Sequence, residues 1–147
     1  MFIRSVGVLL LLAGQISYAG NDDQAVSEAK LSELAGCMVG LSFQRQSASS
    51  DASREAVKIS LDEAEALVNE TVSASRYSGI STVTFKKELK RHQSSFQSRI
   101  NVISAMPLSE EEKAKSIADD FAKLFSKCMP YLKPIKLKSG ETALVRP

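Results

Sequence analysis

Three side chains in this sequence carry reactive atoms at positions that call for an explanation: Cys37, His92 and Cys128. The chain has two cysteines and one histidine among 147 residues. Cys37 ends the stretch Leu34-Ala35-Gly36-Cys37, whose letters match the box at which bacterial lipoproteins are cut and acylated. Its sulfur atom is therefore a candidate lipid attachment point, a candidate nucleophile or one half of a disulfide bond.

The first 19 residues have the layout of a secretory signal peptide. Arg4 supplies a short positive region, residues 6–13 form an apolar run, and the small residues Ser17 and Ala19 precede a cleavage site. The apolar run is shorter than the roughly 20 residues that a membrane-spanning helix needs. We therefore expect a cleaved leader over residues 1–19 and export to the periplasm or beyond without a stable membrane anchor.

Position argues against a lipid anchor on Cys37. A lipidation box must follow the apolar part of the leader directly, because the processing enzymes read it in the membrane, and here residues 21–33 intervene with five charged side chains. A catalytic thiol is also disfavoured, since the chain has no Cys-x-x-Cys motif. An exported chain with only two cysteines typically forms one disulfide. We predict the pair Cys37–Cys128.

His92 lies between Leu89 and Phe96 on the apolar stripe of a predicted helix. A lone histidine in this setting is usually a packed side chain that bonds to a carbonyl or to a neighbour such as Glu88, one turn earlier. Two alternatives stay open: a pH-responsive core group, or an axial haem ligand partnered by Met38. Because one imidazole makes neither a triad nor a metal site by itself, we predict no catalytic residue, no metal site and no cofactor.

A basic run provides the remaining candidate site, and its cations are Lys86, Lys87, Lys90 and Arg91. Helical periodicity places them on an outer surface, as either a solvated face or a candidate partner-binding face. Nucleic acid is disfavoured as the partner, because aromatic side chains do not alternate with the cations. The carboxylate clusters at residues 62–65, 110–112 and 119–120 are interpreted as solvated faces and a helix start, since a di-iron site needs Glu-x-x-His on two helices.

Four segments carry the apolar period of amphipathic helices. The positions on their apolar stripes are Leu31, Leu34, Met38 and Leu41 in the first, Val57, Leu61, Ala64, Val68 and Thr71 in the second, Phe85, Leu89, His92, Phe96, Ile100 and Ile103 in the third, and Ala114, Ile117, Phe121, Leu124 and Cys128 in the fourth. Asp51 is a candidate N-cap of the second helix. Ser109 and Glu112 predict a capping box at the start of the fourth, and Pro130 predicts its end.

Short connectors between helices of similar length predict antiparallel neighbours, and hence an all-α, four-helix bundle-like domain. Residues 135–147 alternate apolar and polar side chains around Ser139 and Gly140, which predicts a short irregular or hairpin-like tail, loose or packed on the bundle. The expected division of the chain is a leader over 1–19, a disulfide-stapled helical domain over 20–134 and a tail over 135–147.

The predicted disulfide constrains how the first and fourth helices meet. In a plain up-down-up-down bundle the end of the fourth helix lies beside the start of the first, yet Cys37 lies about 22 Å inside the first helix. The two Cα atoms of a disulfide must come within about 7 Å. We therefore expect the helices to cross closely at Gly36 and Gly40, with the first helix extending past the bundle on its N-terminal side and packing on residues 130–137. A break or a steep crossing of the first helix near Cys37 is the alternative.

The charges are unevenly distributed along the chain. Residues 21–70 hold 10 acidic and 4 basic side chains, whereas residues 71–147 hold 14 basic and 7 acidic ones. This pattern predicts complementary helix faces within one body, and a dipolar surface that steers a partner is the alternative.

Small size, one disulfide and the lack of a catalytic set favour a non-enzymatic binding protein of the bacterial periplasm. Its expected partner is an unknown periplasmic protein, and its expected role is that of an inhibitor, an immunity-type protein or a chaperone-like factor. The alternative function is a small-ligand or haem-carrying helical bundle centred on His92.

Overall fold

The computed structural model describes the backbone of residues 4–147 and the side chains of residues 23–147. Its elements are α1 (Arg4–Ser47), α2 (Asp51–Ala74), α3 (Ser78–Ala105), α4 (Glu110–Ser126), β1 (Lys133–Lys136) and β2 (Thr142–Val145). The predicted all-α, four-helix fold class is confirmed, with one disulfide and a short C-terminal hairpin. The predicted leader, residues 1–19, lies outside the residues whose side chains are described. Across the described part of the chain, no helix has the length and apolar character needed to span a membrane.

The helix ends follow local capping chemistry, with two differences from the sequence-based expectation. Ser109 accepts a bond from the Glu112 backbone N–H and Glu112 reaches back to the Ser109 N–H, so the predicted capping box is confirmed. The N-cap of α2 is Ser50 and not Asp51, which instead lies in the first turn and binds Arg54. α4 ends at Ser126, ahead of Pro130, so Cys128 lies in the turn that follows the helix.

Helix α1 is the central element of the domain. Its residues on several sides are buried, among them Leu31, Leu34, Ala35, Cys37, Val39 and Leu41. α2, α3 and α4 each pack against it, whereas the backbones of α2 and α4 are not neighbours within the described residues. The apolar period of α1 therefore spreads around the helix and is not confined to one stripe, as expected for a helix with neighbours on most sides.

The core consists of three apolar clusters arranged around α1. One joins α1 to α2, the turn after α4 and the hairpin, through Cys37, Val57, Cys128 and Leu144. A second joins Leu31 and Leu34 of α1 to Val68 of α2. The third joins Val39 of α1 to Phe96 of α3 and Leu124 of α4.

The C-terminal hairpin is part of this core. β1 and β2 pair antiparallel with Ile135 opposite Ala143, and Gly140 takes the positive φ that their turn requires. Leu144 is buried, and its backbone N–H donates to the Ser60 hydroxyl of α2 over 2.8 Å. An isolated two-stranded hairpin is only marginally stable in water. Packing on α2 therefore explains why this hairpin forms. The boundary predicted at residue 135 falls inside β1, and the tail belongs to the same packed body as the helices.

The first and fourth helices cross at the predicted glycines. A Cβ atom on Gly40 would lie 3.2 Å from the Leu124 Cβ and 3.3 Å from the Phe125 backbone nitrogen, and the Lys127 side chain lies over Gly36. Beside this crossing the Cα atoms of Cys37 and Cys128 are 4.8 Å apart, joined by the predicted disulfide.

α1 is continuous through the crossing, so the alternative of a broken helix is wrong. α4 is only 17 residues long and covers only part of α1. The N-terminal part of α1 extends beyond the end of α4, where Tyr131 packs on the Leu31–Leu34 cluster and donates to Glu33 over 2.5 Å. The extension of α1 beyond the end of α4 therefore explains how the disulfide forms although Cys37 lies far inside α1.

Replacing both cysteines, Cys37→Ala with Cys128→Ala, should lower the free energy of unfolding by about 4–5 kcal/mol, because the bond closes a loop of long sequence separation in the unfolded chain. Urea unfolding of the purified protein measures this change. Wild-type protein treated with a thiol reductant serves as the control and should match the variant. A loss below about 1 kcal/mol would contradict the stapling role.

Gly40→Ala should also destabilise the protein. The added methyl group meets the α4 backbone, an overpacking cost of about 1–3 kcal/mol that outweighs a helix-propensity gain of about 1 kcal/mol. Gly79 lies in α3 with open space around it, so Gly79→Ala is the matched control and should keep or raise stability. Equal stabilisation by both substitutions in urea unfolding would show that α1 and α4 do not cross tightly at Gly40.

Candidate functional site

His92 belongs to a polar cluster that joins α3 to α1. Its ring is buried, with 8% of the residue exposed, and its Nε2 lies 3.0 Å from the Ser32 carbonyl oxygen, to which it donates. The Ser32 hydroxyl donates to Glu88 over 2.7 Å, and Arg91 binds the same carboxylate oxygen at 2.6 Å. The interpretation of His92 as a packed histidine bonded to a carbonyl is confirmed, while Glu88 turns to Ser32 and Arg91.

Burial lowers the pKa of His92 below its usual 6.5. The positive charges of Arg91 and Lys127 act in the same direction, and the Ser32 carbonyl and the Glu88 carboxylate oppose them. In the Glu88 carboxyl, the bonds from Arg91 and Ser32 lower the pKa. The imidazole is therefore neutral at neutral pH and sits between two cations and one carboxylate.

The arrangement does not bring His92 and Met38 together. Met38 packs into the two clusters that α1 forms with α2, whereas His92 lies on the α3 side of α1. Within residues 23–147, no three histidine, cysteine or carboxylate side chains group as ligands for a metal ion. Both cysteine residues are completely buried in the disulfide, so neither sulfur atom is accessible to a substrate.

The structure divides the four cations of the predicted basic face. Lys86, Lys87 and Lys90 are exposed, and none has an ion-pair partner among the described side chains. Arg91 differs from them, because its guanidinium is paired with Glu88 and one of its nitrogens lies 3.4 Å from the Ser32 hydroxyl. All four cations are therefore exposed, but Arg91 is already paired with Glu88 and borders the His92 cluster, whereas the three lysines have no partner among the described side chains.

Two exposed aliphatic side chains share the outer surface of α3 with these lysines. Ile80 and Val83 are 55% and 66% exposed. With Lys87 and Lys90 they recur at steps of three and four residues, so all four lie on one side of the helix. Sequence analysis missed this pair because they lie off the buried stripe of α3, and an isolated exposed aliphatic residue is unremarkable. The feature of the sequence that could have indicated them is their spacing of three and four residues from one another and from Lys87 and Lys90.

A cleft of about 200 Å³ opens between α1 and α3, near the C-terminal end of α1. The apolar side chains that line it are Val39, Phe43, Phe96 and Ile100, and the polar ones are Ser42, Gln46, Gln93 and Gln97. The rings of Phe43 and Phe96 meet edge to face at 5.0 Å. Sequence analysis missed the cleft, since its two walls are 50 residues apart in the chain and neither carries a motif.

Charge is separated between α2 and α3. α2 carries six acidic and two basic side chains, and α3 carries five basic and one acidic. The sequence predicted attraction between the acidic first half and the basic second half of the chain. One such contact is present, because Arg146 pairs with Glu63 and Glu70 of α2. Among the described residues, no ion pair joins α2 to α3. α2 and α3 therefore carry opposite net charges, and the alternative of a dipolar surface that steers a partner stays a prediction.

No protein-family model, curated protein or solved structure matches this chain. The function must therefore be inferred from the surface and the buried groups themselves.

The depressed pKa of His92 predicts a pH dependence of stability. As pH falls through 6.5, the unfolded chain binds a proton before the folded protein does, so the free energy of unfolding decreases until the lower, folded pKa is passed. Well above pH 6.5, near pH 7.5, the imidazole is largely neutral in both states and contributes little slope. Urea unfolding between pH 7.5 and about 5.5, above the main titration of carboxylates, measures the effect.

His92→Gln serves as the control, because His92 is the only histidine in the chain. The variant should lose the part of the pH slope that is due to the imidazole. The same slope in both proteins, or an NMR titration giving a folded-state pKa of 6.5 or above, would contradict the prediction.

Proposed function

We propose that this chain is an exported, non-enzymatic protein of the bacterial periplasm that binds a protein partner through the outer face of α3. The observation that carries the proposal is that Lys86, Lys87 and Lys90, which have no ion-pair partner among the described side chains, lie beside exposed Ile80 and Val83. We call these five residues the α3 face.

The composition of the α3 face suits a protein interface. Exposed aliphatic residues provide surface whose burial is favourable, at about 25 cal/mol per Å². Lysines that have no partner of their own remain available to carboxylates of another protein, which favours fast and specific encounter. The expected partner surface is therefore acidic, with an apolar centre.

The scaffold supports a binding role. The α3 face projects from a helix that is packed on the central α1, and α1 is tied to the C-terminal region by the disulfide. A preorganised surface loses less conformational entropy on association than a flexible one. The groups with reactive atoms have internal roles instead: the two sulfur atoms form the disulfide, and His92 bonds to Ser32.

The compartment is inferred from two observations of different kinds. A disulfide indicates an oxidising, extracytoplasmic environment, and residues 1–19 have the layout of a secretory signal peptide, which supports export. Assignment to the periplasm of a bacterium, and the roles of inhibitor, immunity-type protein or chaperone-like factor, are part of the proposal.

Reversing the lysines, with Lys86→Glu, Lys87→Glu and Lys90→Glu combined, should reduce capture of the partner about tenfold or more, since three attractive charge contacts become repulsive. The measurement is cross-linking of tagged protein in periplasmic extract, followed by quantitative mass spectrometry. The matched control combines Lys115→Glu, Lys133→Glu and Lys138→Glu, which makes the same change in net charge at exposed positions elsewhere.

The proposal expects one protein that wild type and control both capture and that the α3-face variant loses. Failure of the wild type to enrich any protein reproducibly would overturn it, as would equal capture by all three proteins. Circular dichroism melting of each variant verifies that the fold is retained.

A further inference from the structure

We infer that the partner binds through an acidic segment with one large apolar side chain, which fills the cleft between α1 and α3 while the carboxylates lie against Lys86 and Lys90. This inference rests on the proposed function and deepens it by naming the chemistry of the partner. It also joins two features of the surface, the cleft and the lysines, that are adjacent on α3.

The register of α3 makes the lysines a continuation of the cleft. Lys86, Lys90, Gln93 and Gln97 follow one another at steps of four, three and four residues, so they form a line along one side of the helix. Gln93 and Gln97 border the cleft. Lys87 lies one residue away from this line, on the side of Val83, and is displaced from the cleft.

The size and lining of the cleft select a side chain over a free small molecule. Its volume of about 200 Å³ is below the roughly 300–1,000 Å³ of pockets that enclose drug-sized ligands. Phe43 and Phe96 give it an apolar floor. The glutamines at its rim carry both donors and acceptors, which match the N–H and C=O groups of a peptide backbone. None of the lining residues is charged, and Val39, Phe43, Phe96 and Ile100 form its apolar part, so we assign the cleft to an uncharged side chain with a large apolar surface.

The acidic helix α2 of a second copy does not fit the combined surface, because the exposed large apolar side chains among the described residues include none on α2. Another segment of a second copy does have this chemistry, since Met106 and Leu108 are exposed beside the carboxylates of Glu110, Glu111 and Glu112. Concentration-dependent self-association of the purified protein would identify that occupant and overturn the inference of a separate partner. An anionic lipid surface would meet the lysines but has no reason to depend on a recessed cleft lined by amides, and the experiment below separates it from a peptide.

The distance between the two features fixes the spacing of the segment. The midpoint of Lys86 and Lys90 lies eight residues from Phe96, about 12 Å along the helix axis. An extended peptide covers this distance in about four residues, and a helical one in about eight. The carboxylates of the partner are therefore expected about four or about eight residues from its apolar anchor.

A spacing scan with synthetic peptides tests the inference. The probes are fluorescein-labelled 16-residue peptides of serine and glutamine that hold one Phe and move a Glu-Glu pair from two to ten residues away. Fluorescence anisotropy of the purified protein should give the tightest binding at one of the two predicted spacings. Replacing the Phe by Ser, or the Glu pair by Gln, should weaken binding about tenfold. No binding, or equal binding at every spacing, would overturn the inference.

Protein variants test the same contacts from the other side. Ser42→Trp fills the cleft and should weaken the best peptide about tenfold, whereas Ser94→Trp, on α3 outside the cleft, should leave its affinity within about twofold. Lys90→Glu should weaken binding more than Lys87→Glu. If Ser42→Trp does not fold, Gln93→Trp replaces it. Retained affinity when the cleft is filled overturns the inference.

Two further results distinguish failure of this inference from failure of the proposed function on which it rests. If the α3-face variant loses the periplasmic partner and Ser42→Trp keeps it, the cleft inference is wrong and the proposed function stands. If wild type captures no partner, the proposed function fails, and the peptide titration still decides whether the cleft binds such a segment. Salt-sensitive binding to phosphatidylglycerol vesicles, unchanged by Ser42→Trp and without any peptide binding, would assign the lysines to lipid and overturn the inference.

Discussion

The bond between Cys37 and Cys128 fixes where the end of α4 meets α1, and this position determines what the other elements cover. Because Cys37 lies inside α1 and not at its end, the fourth helix covers only part of the first. The turn after α4 covers the adjoining part of α1 through Cys128 and Tyr131, while the hairpin packs on α2. Gly36 and Gly40 make the arrangement sterically possible, since any side chain at Gly40 would meet the α4 backbone.

Burial of α1 between several neighbours leaves α3 with one packed side and one open side. The packed side carries His92, Phe96 and Ile103, while the open side carries the lysines and exposed aliphatics. α2 carries six acidic side chains, and among the described residues none of them forms an ion pair with these lysines. The packing of α3 on α1 therefore leaves these lysines exposed on the open side of α3.

Much of the helical architecture was predictable because local signals dominate it. The Ser109–Glu112 capping box is a short-range interaction and was found where the sequence placed it. Asp51 was not the N-cap, because Ser50 next to it has equivalent capping chemistry and local sequence does not rank the two. The order of the hairpin was not predictable, since it depends on the buried contacts of Leu144 with α2 and on Arg146 with Glu63 and Glu70.

Sequence alone determined the disulfide pairing, the helix count and the crossing at two glycines, because two cysteines allow one pairing and helical periodicity is local. Only the tertiary structure decided that Arg91 pairs with Glu88 while three lysines have no partner among the described side chains, that Ile80 and Val83 lie beside those lysines, and that a cleft opens beside Phe43 and Phe96. These features depend on the relative rotation and separation of helices distant in sequence. That geometry is set by how side chains fill the space around α1, and no spacing along the chain encodes it.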